Sequence, residues 1–200
     1  GGSAAFTLSR QTVDVDTNGD GKADLLGATV DALSLTITAP AVVEVVGVAK
    51  VTLTGAVSVA RVTAAGDTVA RYSVLEMGAV SVTPSATAGT GFGLSGTLTI
   101  SKLDYNAAAA GYARLNWARA FDLDGDGSRG GAGDVLNPSG ALALNLPGSV
   151  QFGLAGSITG NGNNTGSGGT LADVLLSAGP VYVGGSAAFT LSRQTVDVDT

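Results

Sequence analysis

Apolar and small polar residues alternate along most of this chain. Ala32-Leu-Ser-Leu-Thr-Ile37 and Ala141-Leu-Ala-Leu-Asn-Leu146 show the pattern clearly, and Met77–Val82 and Leu171–Leu176 follow it more loosely. A period of two puts one set of side chains on a buried face of a β-strand and the other set on a more open face. A proline follows each stretch, at Pro40, Pro84, Pro147 and Pro180. Without an amide donor, proline predicts a turn or a strand end at each position. A second kind of stretch follows, an apolar strand interrupted by glycine: Val51–Gly55, Phe92–Gly96, Phe152–Gly156 and Val181–Gly185. The pattern therefore predicts four degenerate units of strand, proline turn, glycine-interrupted strand and variable excursion.

The longest excursion, Tyr105 to Phe121, carries two signals. Ala107–Ala110 is good helix material, while Ala113, Leu115, Trp117, Arg119 and Phe121 alternate. The β-pattern on both sides favours a strand. Residues 160–169, GNGNNTGSGG, read as a polar surface loop. The expected fold class is all-β.

Self-similarity comes next. Gly1–Thr17 and Gly184–Thr200 are the same seventeen residues at an offset of 183. Residues 1–183 thus form one repeat period and 184–200 begin the next. The second copy stops inside an acidic loop that the first copy continues, so the sequence reads as a window on a longer tandem array.

Composition narrows the class. The chain is 44% hydrophobic and only 13% charged, with 31 glycines. That describes close-packed β-structure with tight turns and excludes disorder, which needs low hydrophobicity and high charge. The net charge is −6. Arg193, Asp197 and Asp199 belong to the overlap, which leaves −5 for a period. An acidic array of this kind does not bind nucleic acid, which requires a basic patch, but it attracts cations. The absence of Cys and His removes disulfides, thiolate or imidazole metal sites, and Ser-His-Asp or cysteine catalysis. Glu44 and Glu76 form no evident acid/base pair, and Asp67, Asp104 and Asp173 stand alone. The expected role is not enzymatic. No apolar run is long enough to span a membrane as a helix.

Against this charge-poor background two acidic segments stand out. The first is Asp16-Thr-Asn18-Gly-Asp20-Gly21-Lys22-Ala-Asp24, the second Asp122-Leu-Asp124-Gly-Asp126-Gly127-Ser128, followed by Asp134. Both set oxygen ligands at positions one, three and five and glycine at six, as an EF-hand-type calcium loop begins. The tight turn gathers alternate carboxylates, and the backbone carbonyl at position seven, Lys22 or Ser128, faces the ion. Position twelve, a bidentate Glu in the EF-hand, is Gly27 or Gly133 here. Asp14 or Asp31 is expected to complete the first site and Asp134 the second. With so few charged ligands, calcium should bind weakly, on the order of 10⁻⁴ to 10⁻³ M, as in extracellular modules.

The loops, the glycine-punctuated strands and the long near-perfect repeat together resemble repeat regions of very large bacterial extracellular proteins: adhesins, sheath proteins and surface filaments. Asp24 at position nine is similar to a ligand of dockerin-type and thrombospondin-like loops. The nonapeptide of RTX proteins is absent. The resemblance implies an extracellular or cell-surface location and repeats rigidified by calcium after export. It also implies that other copies of the repeat are the main partners. The favoured architecture is a β-solenoid-like continuous array, in which units bury their open ends against their neighbours. The alternative is a string of calcium-stapled β-sandwich modules. The expected function is a structural unit of a filament, sheath or fibre; the alternative is the stalk of a calcium-dependent adhesin.

Overall fold

The computed structural model describes residues 2–45, 49–86, 92–138, 140, 142–166, 169–178 and 180–196. Ala141, and Asp197 and Asp199 of the second acidic loop copy, lie outside them. The fold is all-β, as the alternation predicts. Its main sheet has seven antiparallel strands in the order β1-β2-β3-β4-β6-β7-β11. These are β1 (Ser3–Val15), β2 (Leu25–Val45), β3 (Ala49–Thr63), β4 (Tyr72–Ala86), β6 (Gly96–Ala108), β7 (Val150–Gly160) and β11 (Ser186–Gln194). Successive strands are mostly spatial neighbours, so the sheet grows as a meander. No helix among the described residues is long and apolar enough to cross a membrane.

A four-stranded sheet continues one end of it: β5 (Phe92–Leu94), β8 (Gly162–Gly166), β9 (Gly169–Ala178) and β10 (Val181–Gly184). β5 runs into β6 through Ser95, and β10 runs into β11 through Gly185. At this line β9 takes the place between β5 and β10 that β7 holds between β6 and β11. Ser95 donates its amide to the Leu175 carbonyl (2.9 Å), and Gly185 donates to that of Asp173 (2.9 Å). The predicted polar loop at 160–169 supplies strand β8 of this second sheet.

Two other local expectations are corrected. Pro40 and Pro84 do not end strands: β2 and β4 run through both. Pro40 sits in a bulge, where pairing jumps from Ile37↔Gly55 to Ala41↔Leu53, so the missing amide breaks no ladder bond. The segment Tyr105 to Phe121 is not one strand. β6 ends at Ala108, and the described residues of 109–149 fold back as an irregular cover on one face of the sheet. Alternation requires a buried side, and Leu115 and Trp117 find theirs without joining a ladder.

That covered face holds the core. Ala28, Val30 and Ala32 of β2, Ala60 and Val62 of β3, and Tyr72 and Val74 of β4 form one cluster with Leu115, Trp117, Phe121, Leu136, Leu144 and Leu146 of the cover. Small alanines on the sheet leave room for the large rings above, and Trp117 and Phe121 meet with centroids 5.8 Å apart. Asn106 of β6 ties the layers together. Its side-chain amide donates to the carbonyls of Leu115 (3.0 Å) and Pro147 (3.2 Å), and its oxygen accepts from Trp117 Nε1 (3.1 Å). Asn106 and Trp117 are both 0% exposed.

The opposite face is apolar, and none of the described residues covers it. Register puts Phe6, Leu35, Val57 and Met77 in one row, and Leu8, Leu33, Val59 and Leu75 in the next. Leu33 and Leu35, inside the sheet rather than at its edge, remain 43% and 39% exposed. Beside these rows, Asp31 accepts from Arg10 Nε (2.5 Å) and Arg61 Nε (3.2 Å).

Replacing Asn106 with Leu removes three hydrogen bonds and orphans the Leu115 carbonyl and the Trp117 indole N–H, while the Pro147 carbonyl keeps the Val150 amide. At about 1–3 kcal/mol for each unsatisfied buried group, the loss is expected to be several kcal/mol. Urea unfolding should show it as a lower midpoint with an unchanged slope.

Candidate cation centre

The two acidic loops adopt the same backbone. In the first, Asp16 accepts amides from Gly19 (2.6 Å) and Gly21 (2.8 Å), Asn18 from Asp20 (2.8 Å), and Asp20 from Lys22 (2.8 Å). In the second, Asp122 accepts from Gly125 (2.9 Å) and Gly127 (3.2 Å), Asp124 from Asp126 (3.2 Å), and Asp126 from Ser128 (2.7 Å). Position one serves positions four and six, three serves five, and five serves seven, in both. Glycine at position six is required, since φ is +85° at Gly21 and +83° at Gly127. The shared motif thus produces a shared conformation at two distant points of the chain.

The loops are also closed alike. The Asp24 carboxylate accepts the position-two amide of Thr17 (2.9 Å), and that of Asp134 accepts the position-two amide of Leu123 (2.9 Å). Asp24 also takes the Thr17 hydroxyl and the Asn18 side-chain amide. The Thr17 backbone and side-chain bonds, in that order, hold the Asp24 carboxyl below the usual carboxylate range. Asp134 is 2% exposed, and its second oxygen accepts from Gly131. Both of its oxygens are therefore engaged in bracing the second loop. Sequence spacing alone does not show that Asp24 and Asp134, at different offsets, are counterparts.

Two expectations for the first loop divide. Asp14 lies beside the loop, but its carboxylate accepts the Gly27 amide (2.7 Å). Asp31 is held between Arg10 and Arg61, out in strand β2, and does not complete the site.

Among the described residues, one acidic trio is gathered tightly enough to hold a metal ion. Asp122, Asp124 and Asp126 each offer an oxygen within 4.8 Å of the others. In the first loop, Asp16, Asp20 and Asp24 are not drawn together to this degree. None of these loop carboxylates forms an ion pair among the described residues, whereas Asp31, Asp67 and Asp104 do. Three carboxylates at that separation repel one another unless a cation neutralises them. Gly133 adds a steric condition. A side chain there would run into the Asp124 carboxylate and push it from the trio, so the position that bears a ligand in an EF-hand must stay bare here. Arg129 links the two loops, its Nη1 donating to the Gly21 carbonyl (2.9 Å).

A second acidic pairing escapes sequence reasoning. Glu76 and Asp104 are direct cross-strand partners on the covered face, and both are buried. Lys102 Nζ lies 2.6 Å from Asp104, and Glu76 accepts the Asn145 amide (2.7 Å). Burial, with the nearby Asp104 charge, pushes the Glu76 carboxyl above its ordinary range. Only the register of β4 and β6 brings these residues together.

No family model, curated protein or solved structure matches this chain.

Two outcomes test these assignments. Millimolar calcium should raise the melting temperature and a chelator should reverse it; at ten times Kd, each site contributes about 1.4 kcal/mol. The Asp20→Ala, Asp126→Ala double variant should lose this response, and identical wild-type melting with and without calcium would reduce the loops to plain turns. The second outcome concerns pH. A carboxyl whose folded pKa is raised stabilises the fold most below its unfolded pKa, and that contribution is lost as pH rises through the folded value. Glu76→Gln should therefore gain stability relative to wild type at neutral pH. The gain should shrink as pH falls toward 4.5 in parallel urea titrations.

Proposed function

We propose that this chain is a structural unit of a calcium-stiffened extracellular filament, sheath or fibre, in which successive periods share one continuous, solenoid-like sheet. The observation that carries this reading is the behaviour of the repeated strand. β1 and β11 have the same sequence but pair through opposite backbone edges. In β1, the Val15 carbonyl accepts the Asp24 amide (2.9 Å), so odd-numbered residues turn their backbone groups toward β2. In β11, the Gly185 carbonyl accepts from Gly160 (3.1 Å), and Thr195 donates to the Ser149 carbonyl (3.0 Å). Those residues correspond to Gly2 and Thr12, so the even-numbered set of the repeat turns toward β7.

One strand therefore satisfies both neighbours at once. It can take the β7 of its own period on one edge and the β2 of the next period on the other, with no hydrogen-bonding group used twice. Such a strand belongs in the interior of a sheet. The six remaining strands advance the array by roughly 29 Å per period at about 4.8 Å per strand. The acidic loops recur at that interval, and the cations they attract stiffen the ends of the strands. A role built on continuity also accounts for a chain poor in charge and without cysteine or histidine chemistry.

Chains of one, two and three periods distinguish this from discrete modules on an adhesin stalk. Melting temperature should climb steeply with period number as each junction removes two free edges. Equal melting temperatures for all three, with a single period that stays monomeric, would overturn the shared sheet and leave independent beads.

A further inference from the structure

The uncovered apolar face has a definite occupant. We propose that it packs against the same face of a second copy of this chain, forming a two-layer sheet. This deepens the filament reading above by naming its lateral partner.

The first argument is the asymmetry of covering. The described residues of 109–149 shield one side of the sheet, and among the described residues nothing lies over the rows of Leu, Val, Phe and Met on the other side. An antiparallel sheet commonly faces water with a polar side, and this one does not. The second argument is extent. Seven strands at about 4.8 Å, by about four side-chain rows at 6.8 Å, give a patch of roughly 900 Å² per copy; beyond the two rows above these include Val80 with Ile100, and Leu53 with Val82, Leu98 and Ile158. Two such patches bury about 1,800 Å², within the range of stable specific interfaces, and well above the few hundred Å² of apolar patch that a soluble monomer usually exposes.

The third argument selects the partner. Beside these rows Asp31 is paired with both Arg10 and Arg61, which leaves one positive charge at that margin. From β1 to β7 the two rows themselves carry no charge, so they offer little to an acidic or basic protein or to lipid headgroups. They suit another apolar sheet, at the ~10 Å spacing at which sheets stack. Gly55 opens a shallow apolar depression among Leu35, Ile37, Val57 and Met77, which a large side chain of a facing sheet can enter. In a repeat array the face recurs every period, and a second array of the same chain has the matching repeat. Contacts then add along both filaments, and the pairing of single periods is strengthened further by avidity.

The chain has no cysteine, so single cysteines report proximity cleanly. Leu35→Cys and Val57→Cys, on the open face, should give covalent dimers in high yield on mild oxidation. Tyr112→Cys, exposed on the covering segment of the other side, should not. Wild-type chain should sediment as a dimer at micromolar concentration, and Leu35→Glu with Met77→Lys should sediment as a monomer with its melting transition retained. Cross-linking equal at both faces or absent from Leu35→Cys, or a wild-type chain monomeric at 100 µM, would overturn the proposal. So would capture by neutral phosphatidylcholine vesicles in place of dimerisation. A proline at Thr12 in β1, whose backbone groups turn away from β2, blocks the open edge of the sheet but not its apolar rows. Dimerisation that survives in Thr12→Pro separates this proposal from end-to-end joining, and dimerisation lost there together with open-face cross-linking would overturn it.

Discussion

A β-strand has two hydrogen-bonding edges, and each residue's backbone groups point to only one of them. This constraint governs how the molecule is built. Interior strands β2, β3, β4, β6 and β7 have both edges occupied, while β1 and β11 each leave one edge open. The two open edges belong to one sequence in two places, and they are complementary halves of one strand. The acidic loops, the cover and the apolar face all take their positions from the register that these edges set. A slip of one residue would exchange the covered face for the open one and scatter the core.

The cover and the acidic loops depend on each other through few contacts. The Asp16 amide donates to the Ala120 carbonyl (2.9 Å), so the first loop begins where the buried Trp117–Phe121 segment ends. The second loop begins one residue after Phe121. Arg129 then returns to the Gly21 carbonyl. Any ion that orders either loop acts directly on the ends of the covering segment, and so on the core beneath it. The amphipathic character of Trp117 makes this coupling specific: its ring fills the core while its N–H is fixed by Asn106.

Much of this was legible in sequence, for identifiable reasons. The all-β class followed from alternation, and both loops were found from Asp and Gly spacing because their hydrogen bonds are local. Of the large aromatic residues, Trp117 and Tyr72 are buried, while Tyr105 and Tyr112 remain about half exposed. What was missed depends on distant partners. Pro40 and Pro84 read as strand ends because nothing local announces a bulge or a pairing side. Residues 113–121 alternate as a strand would, yet the neighbouring strand positions are already filled. The Glu76–Asp104 pair, and the equivalence of Asp24 with Asp134, exist only through register and folding back.

The rows of the open face do not return to where they start. The row that begins at Phe6 passes through Leu103 and Leu154 and arrives at Leu191, the counterpart of Leu8. In the array proposed above, each period would then carry an offset of two residues along the strands. Set against an advance of roughly 29 Å, an offset of about 6.8 Å inclines the line of growth by about 13° from the strand normal. A ribbon grown this way has a built-in handed slant. A pull along its axis loads the hydrogen bonds between strands partly in sliding and partly in opening. Sliding strains a whole ladder together, whereas opening from one end breaks bonds in turn, so the slant shifts the balance toward collective resistance.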